Sequence, residues 1–89
     1  MEFERRHIPN RLRLHRKLLR YKQKDVAALL GLHPSQLSSW EYGKALPGIE
    51  HLLKLSIIYS TLPAELYFEY YQRLKQEIQN KQRNGLAPD

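Results

Sequence analysis

The sequence contains no cysteine among its 89 residues. A chain without cysteine has neither a disulfide framework nor a cysteine-based zinc site. Its longest apolar runs are far shorter than the ~20 residues of a membrane-spanning helix, and no apolar signal segment opens the chain. We therefore expect a single-domain, soluble, cytoplasmic protein with one modest core and no metal or other cofactor.

Acidic residues are scarce in the first half of the chain. Residues 1–44 carry ten Lys or Arg and four Asp or Glu, a net charge of +6, whereas residues 45–89 carry five of each sign. A basic half is typical of a protein with a polyanionic partner, and nucleic acid fits better than a membrane surface. A solvated basic face that only aids solubility explains the charge equally well, so both interpretations stay open.

The sequence also lacks the alternation of polar and apolar residues that is typical of β-strands, internal repeats and low-complexity segments. Its apolar residues follow helical periodicity. Asn10 is expected to cap the first helix, Gly31 and Gly43 to end the second and third, and Gly48 to cap the fourth. The five predicted helices span residues 11–20, 23–30, 34–42, 49–59 and 63–84. The residues expected to face the core from the first three helices are Leu12, Leu18, Leu19, Val26, Ala27, Leu30, Leu37 and Trp40.

The stretch QKDVAALLGLHPSQLSSW, from Gln23 to Trp40, has a glycine and a proline between two short helices. Gly31 turns the chain, and Pro34 starts a new helix whose open face carries small polar residues. Short, uncharged side chains on an exposed helix of a basic protein suit the base edges of a DNA major groove. The pattern therefore indicates a helix-turn-helix whose second helix enters the groove between flanking cations.

These residues resemble the lambda-repressor-like (Xre/Cro) family of DNA-binding domains. The second helix matches the family motif of glutamine, acid, apolar residue, alanine and closing glycine at Gln23, Asp25, Val26, Ala27 and Gly31. The motif continues at Leu37, Trp40, Glu41, Gly43, Lys44 and Pro47. The resemblance covers residues 10–68 and implies an all-α, five-helix domain with the helix-turn-helix at helices 2 and 3 and an extended C-terminal helix.

The resemblance also implies roles for individual side chains. Arg16 is expected to form a structural ion pair with Glu41 at the end of helix 3. DNA bases are expected to be read by Pro34, Ser35, Gln36 and Ser39. DNA phosphates are expected to be bound by Gln23, His33, Ser38, Tyr42 and Lys44. For Gln23 and for each serine, an ordinary helix residue with no DNA contact stays the open alternative.

Two residues depart from the family pattern. His33 replaces the usual serine or threonine cap of helix 3 and is a weaker capping residue. Pro34 replaces a polar residue at the first base-reading position and offers only apolar contact, such as with a thymine methyl group. Direct readout then depends on Ser35, Ser39 and Gln36, so we expect modest specificity or a contribution from DNA shape.

The predicted fifth helix continues past the residues where family domains often end. Tyr67, Tyr71, Leu74 and Ile78 follow one another at spacings of 4, 3 and 4, an apolar stripe close to a heptad. Three interpretations stay open. The stripe is a homodimer seam that sets two recognition helices about 34 Å apart, a face folded over its own core, or a docking face for another protein.

The domain prediction combines these observations. It assigns residues 1–9 to an N-terminal extension and residues 10–68 to the DNA-binding domain. Residues 69–84 continue helix 5, and residues 85–89 form a frayed tail.

Residues with the spacing of an enzyme site are absent. The four histidines lack metal-ligand spacing on a shared face, and no nucleophile has a base partner. We predict a non-enzymatic protein that binds double-stranded DNA, with no membrane and no small-molecule ligand as partner. A transcriptional regulator is expected, and a repressor rather than an activator. The alternatives are the antitoxin half of a toxin–antitoxin pair and a protein-interaction module that has lost DNA binding.

Overall fold

The computed structural model describes residues 7–85, which form six helices. The helices are α1 (Leu12–Leu18), α2 (Gln23–Leu30), α3 (Pro34–Glu41), α4 (Ile49–Ile58), α5 (Pro63–Leu66) and α6 (Phe68–Gly85). The all-α prediction is confirmed. The first six residues of the predicted extension and residues 86–89 of the predicted tail lie outside the described residues. Gly85, the first residue of that predicted tail, is instead the last residue of α6.

Glycine and proline set the bounds of α2 and α3 as predicted. Gly31 ends α2 in the left-handed conformation with a φ of 69°, which costs glycine little. Pro34 is the first residue of α3, where its missing N–H is no loss. Gly43 follows α3 with a φ of 73°, and Gly48 is the N-cap of α4. The two helices therefore meet at an angle that the turn residues fix.

Apolar residues from α1 to α5 form one core. Leu12, Leu37, Leu55 and Leu66 are fully buried at its centre. The predicted core residues of α2 and α3 are also buried, namely Val26, Ala27, Leu30, Leu37 and Trp40. This core supports α3 from below and leaves its opposite face open.

The prediction that Leu18 and Leu19 face the core is wrong. Leu18 is 66% exposed and Leu19 is 42% exposed. The buried side of α1 is the side of Leu12 and Arg16, which lie one turn apart, and α1 ends at Leu18 before another turn is complete. A charged residue therefore occupies the inner position that periodicity assigned to leucine.

The start of α1 differs from the prediction by one residue. Arg11 is the N-cap and makes no side-chain cap hydrogen bond. The Oδ1 atom of Asn10 nevertheless accepts a hydrogen bond from the N–H of Leu12 at 3.1 Å, so Asn10 supplies the capping acceptor from just outside the helix.

The predicted fifth helix is divided at Tyr67 into α5 and α6. Tyr67 leaves helical geometry with a φ of −124° and a ψ of 36°. The carbonyl of Leu66 accepts a hydrogen bond from the N–H of Arg11 at 2.8 Å, which ties this point to the start of α1. Because Tyr67 is also buried in the core, the chain bends here and not at a proline or glycine.

Helix α6 extends away from the core. None of its 18 residues, all of which the structure describes, is buried. The molecule is correspondingly elongated, with principal dimensions of 50 × 33 × 21 Å. Across residues 7–85, no helix has the length and apolarity needed to cross a bilayer.

Candidate nucleic-acid interface

Helix α3 presents its polar side chains away from the core. Leu37 and Trp40 fix its inner face, and the Trp40 ring packs on His51 of α4 with 5.5 Å between ring centroids. Among the predicted base-reading residues, Ser35 and Gln36 are exposed, and Pro34 and Ser39 are half-buried. Ser35 and Ser39 lie one turn apart, so they share the open face.

The N-terminal end of α3 is capped by a histidine. Nδ1 of His33 accepts a hydrogen bond from the N–H of Ser35 at 3.1 Å. The same nitrogen lies 2.9 Å from the hydroxyl oxygen of Ser35. Because an accepting Nδ1 carries no proton, the Ser35 hydroxyl is the donor in that contact. The predicted phosphate residue His33 therefore contacts the predicted base reader Ser35 directly.

The C-terminal end of α3 is held by the segment that precedes α1. Nδ2 of Asn10 donates to the carbonyl oxygens of Trp40 and Glu41 at 3.1 and 3.2 Å. The N–H of Ile8 donates to the carbonyl of Gly43 at 2.9 Å. The last carbonyls of a helix have no partner within the helix, so these contacts satisfy them and fix the helix end.

Arg16 and Glu41 form a buried, bidentate ion pair beneath α3. Arg16 donates to the two carboxylate oxygens of Glu41 from Nε at 2.7 Å and from Nη2 at 3.1 Å. Its remaining nitrogen, Nη1, donates to the carbonyl of Tyr21 at 3.0 Å. The hydrogen bonds to Glu41 raise the pKa of Arg16. Both charges are therefore compensated inside the protein, and the pair connects α1 to α3.

Gln23 joins this ion pair from the first position of α2. Its Nε2 donates to Glu41 at 3.1 Å, and its side chain is half-buried. An amide nitrogen carries two hydrogens, so one remains for a phosphate at the start of α2. The hydroxyl of Tyr59 is also buried in this part of the core and has no hydrogen-bond partner among the described residues. Burial raises the pKa of Tyr59.

The other predicted phosphate residues lie at the end of α3. Tyr42 is 57% exposed and Lys44 is exposed, whereas Ser38 is half-buried. Lys22 and Lys24 flank the start of α2 and are exposed. Exposed cations therefore lie at the two ends of the helix-turn-helix, where a duplex lying on α3 would bring its phosphates.

A second charged cluster joins α1 to α5 and α6. Arg11 donates to Glu65 at 2.7 Å and to Glu69 at 2.6 Å, and its guanidinium lies over the Phe68 ring. His15 contacts Glu65 at 3.1 Å. The hydrogen bonds from Arg11 lower the pKa of both carboxyl groups. This cluster fixes only the first turn of α6.

The predicted partner face of the fifth helix is divided between two environments. Tyr67 belongs to the core, and burial raises the pKa of its phenol to about 12. Tyr71, Leu74 and Ile78 are 56%, 39% and 51% exposed along α6. Tyr67, Tyr71 and Leu74 line an apolar groove of about 320 Å³ between α6, α5 and the loop before α4. The stripe is therefore continuous with a groove.

Sequence reasoning missed two sets of contacts. Asn10 was expected only to cap α1, although its amide also holds the end of α3. Arg11 was not singled out, although it joins three helices. The signal for Arg11 was the pair Glu65 and Glu69, which shares one helix face, but nothing in the sequence indicated that α1 would lie beside it. Within residues 7–85, no group of three or more acidic or histidine side chains is arranged to hold a metal ion.

Comparison with known proteins adds one finding. A family model described as helix-turn-helix matches residues 12–66, which is 55 of the 89 residues. No curated protein and no solved structure matches the chain. The matched span starts at the first residue of α1 and ends at the last residue of α5, so α6 lies beyond it.

Proposed function

Since the chain belongs to the lambda-repressor-like helix-turn-helix family, a family of DNA-binding regulators, we propose that it is a sequence-specific transcriptional regulator of the cytoplasm. The observation that supports this proposal best is the open polar face of α3, with Ser35 and Gln36 exposed above a buried Leu37 and Trp40. In this arrangement α3 enters the major groove of a duplex and α2 crosses the backbone above it.

Contacts with DNA phosphates hold the protein on the duplex and fix its register along it. Gln23 uses its free amide hydrogen and the positive end of α2, while Tyr42 and Lys44 bind the strand beside the end of α3. His33 and Ser38 complete the proposed phosphate-binding set. The net charge of +6 over residues 1–44 provides the long-range attraction. Each phosphate that a cation neutralises steepens the salt dependence of binding by about 0.9 in the logarithmic slope.

The His33 contact gives Ser35 a defined role in base reading. Because the Ser35 hydroxyl donates to Nδ1 of His33, its oxygen is left with lone pairs and acts as an acceptor toward DNA. Major-groove donors are the amino groups of adenine and cytosine. We therefore propose that Ser35 selects one of these bases, while Pro34 contacts a thymine methyl group, and Ser39 and Gln36 contact the neighbouring pairs.

We propose a repressor rather than an activator, as is expected of this family. Occupying a promoter blocks transcription without any further surface, whereas activation requires an additional contact with the transcription machinery. Each of the six helices formed by residues 7–85 belongs either to the core and its DNA-facing side or to the α6 extension. The unpartnered α6 favours one second candidate, an antitoxin-type protein whose C-terminal helix holds a toxin while α3 binds DNA.

Selection from a random duplex library near physiological salt tests the proposal. We expect enrichment of a defined site, with wild-type affinity falling steeply as salt rises. Replacing both Ser35 and Ser39 by alanine should abolish enrichment and leave weak, salt-sensitive binding, whereas the exposed Gln79→Ala on α6 should change neither. Binding that is absent, or that does not vary with salt, would refute the DNA function and leave a protein-interaction module.

The role of His33 has its own test within that experiment. His33→Gly removes the acceptor for the Ser35 hydroxyl, and glycine at an N-cap costs only a few tenths of a kcal/mol relative to good caps. The base selected opposite Ser35 should then become less restricted, because the hydroxyl is free to donate as well as to accept. An unchanged base preference would show that His33 does not set it.

A further inference from the structure

The stretch of chain that contains α1 carries positive charges and no negative ones. From Arg5 to Lys24 the sequence has nine Lys or Arg and neither Asp nor Glu. The charges of Arg11 and Arg16 are compensated by glutamates of other helices. Three exposed cations on α1 or directly after it belong neither to those ion pairs nor to the proposed DNA contacts, namely Arg13, Lys17 and Arg20. An acidic partner other than the duplex on α3 would account for them.

Two leucines accompany these cations on the outer side of α1. Leu14 and Leu18 lie one turn apart and are 53% and 66% exposed. At about 100° per residue, they lie about 200° and 240° around the helix from the buried Leu12. Arg13 and Lys17, which are also one turn apart, form the row beside them. Since the inner side of α1 faces the core and α3, a duplex bound to α3 leaves this outer side accessible.

An apolar recess of about 320 Å³ lies between α2 and the turn that follows α1. Its lining residues are Tyr21, Asp25, Val26, Ala28 and Leu29. Tyr21 comes three residues after Leu18 and is 42% exposed, and Leu29 is 70% exposed. With Leu14 and Leu18 they form a surface that we call the α1 patch. At roughly 180 Å² for each side chain, the four expose about 400 Å², an area typical of a patch that binds a partner.

Arg20 occupies a position that its backbone makes unfavourable. The N–H of Arg20 donates to the carbonyl of Lys17 at 3.0 Å. The N–H of Tyr21 donates to the carbonyl of Arg16, also at 3.0 Å, and the two bonds together are the Schellman ending of a helix. Arg20 has a φ of 61° in this turn, a left-handed conformation that suits glycine and strains other residues. An arginine at such a position, at the same end of α1 as Leu18, indicates that its charge is used.

We propose that the α1 patch docks an amphipathic helix of another protein, whose acidic side chains lie beside Arg13, Lys17 and Arg20. Two leucines one turn apart match the ridge that apolar residues form at the same spacing on a partner helix. The recess receives one larger apolar side chain of that helix. Because Asp25 also lines the recess, the acids of the partner lie on the α1 side and not in the recess. This interaction goes beyond the proposed function and does not depend on it.

The shape of the α1 patch favours a protein over an anionic membrane. Helix α1 has seven residues and presents two leucines on its outer side, whereas interfacial helices bury a long apolar face in lipid. A recess suits a side chain of complementary shape, which a layer of lipid headgroups does not offer. At about 400 Å² per partner the interface is smaller than most specific ones, so we expect a dissociation constant on the order of 10–100 μM.

Selection from a displayed library of helical peptides tests the proposal, with the full chain as bait. The peptides have about 18 residues, because shorter isolated helices are marginal in water. They carry a fixed apolar stripe, and the positions beside it are randomised among acidic, basic and neutral residues. We expect the enriched peptides to be acidic beside the stripe and to bind more weakly as salt rises. The best peptide should shift the amide signals of Leu14, Leu18 and Tyr21 in spectra of the isotope-labelled chain. No enrichment, no bias toward acids, or shifts confined to other surfaces would overturn the proposal.

Charge reversal on α1 tests the electrostatic part of the contact. Arg13→Glu together with Lys17→Glu should weaken binding of that peptide at least about 10-fold, and should favour the same peptide with lysines in place of its acids. Lys75→Glu together with Lys81→Glu, at two exposed positions of α6, is the matched control and should change neither. Leu18→Asp should weaken binding by at least about 10-fold through the apolar part. Circular dichroism verifies that each variant folds, and a folded variant with unchanged binding contradicts the proposal.

Arg20→Gly separates a use of the charge from a structural role of the residue. Glycine relieves the left-handed strain, so the urea midpoint of unfolding should rise. Peptide binding should nevertheless weaken, by about 3-fold or more, because one cation is lost. A variant that is more stable and binds the peptide as well as wild type would contradict the role that we assign to this charge.

The remaining outcomes also decide the matter. Capture of the chain by vesicles of phosphatidylcholine and phosphatidylglycerol, without selection of any peptide, would identify a membrane surface and overturn the proposal. The same holds if the double reversal on α1 weakens duplex binding as much as peptide binding, because these cations would then belong to the DNA-binding side. Peptide binding without DNA binding refutes the proposed function and leaves the docking surface standing, whereas DNA binding without peptide binding does the opposite.

Discussion

Gly43 lies where the segment before α1 crosses the end of α3. Its replacement by alanine should destabilise the fold far more than the same change at Gly31. Both glycines are left-handed, with φ values of 73° and 69°. A Cβ at Gly31 would meet nothing within 4 Å. A Cβ at Gly43 would lie 2.4 Å from the carbonyl oxygen of Ile8 and 2.8 Å from its nitrogen. Backbone atoms cannot rotate away as a flexible side chain can, so the segment must move.

The magnitudes follow from what each change removes. Gly31→Ala costs only the left-handed conformation of an alanine, about 1 kcal/mol. Gly43→Ala adds the loss of the hydrogen bond from the Ile8 N–H to the Gly43 carbonyl, about 1 kcal/mol, and part of the burial of the Ile8 side chain, about 1 kcal/mol more. We expect about 3 kcal/mol for Gly43→Ala, a large part of the stability of a domain of this size.

Urea denaturation of the two variants, followed by circular dichroism at 222 nm, measures both costs. The decisive comparison repeats both substitutions in a chain that lacks residues 1–8, where the obstacle to the Cβ is gone. There the cost of Gly43→Ala should fall to that of Gly31→Ala. Equal costs in the full chain, or an excess at Gly43 that survives the deletion, would show that the contact with Ile8 is not what restricts this position.

Three further predictions address the charged and aromatic groups. Arg16→Met leaves a carboxylate buried without its partner and should destabilise the fold by about 3–5 kcal/mol in thermal or urea unfolding, whereas Arg13→Met at an exposed position should stay within about 0.5 kcal/mol. Tyr67→Phe removes a buried hydroxyl that has no partner among the described residues, so the free energy of unfolding should stay equal or rise, and a clear loss would reveal a bridging water. The two carboxyl groups that Arg11 binds have lowered pKa values, so the stability they contribute is present above the unfolded-state pKa of about 4.3 and is lost as pH falls through their folded-state values. Unfolding midpoints across acid pH should therefore drop less steeply for Arg11→Met than for wild type.

Local chemistry explains why so much of the helix-turn-helix was predictable. The backbone conformations at positions 31 and 34 are each met best by one residue type, so the end of α2 and the start of α3 follow from Gly31 and Pro34 alone. Leu37 and Trp40 lie one turn apart with polar residues between them, so the inner face of α3 follows from periodicity. These features depend on residues close in the chain.

The errors occurred where distant residues compete with periodicity. Leu18 and Leu19 fit a helical stripe, but Arg16 takes the inner position because Glu41, 25 residues away, is there to receive it. Tyr67 lies in an uninterrupted helical pattern, but the hydrogen bond from Arg11 to Leu66 and the burial of its ring bend the chain at that point. The groove was equally inaccessible to sequence reasoning, since its lining comes from four separate elements that only the fold brings together.

These contacts fix the C-terminal end of α3 more firmly than its N-terminal end. Its C-terminal end is fixed by the buried Arg16–Glu41 pair and by two half-buried contacts, the amide of Asn10 and the close approach of Ile8 to Gly43. Among the described residues, the side-chain hydrogen bonds at its N-terminal end come from the exposed His33. Three of the four residues proposed to read bases, Pro34, Ser35 and Gln36, lie in the half toward His33, whereas Ser39 and the residues proposed to bind phosphate after the helix lie toward the rigid end. Adjustment to a DNA sequence is therefore expected at the start of α3, about a fixed point at its end, and amide hydrogen exchange should be faster at Ser35 and Gln36 than at Tyr42 and Gly43 in the free protein.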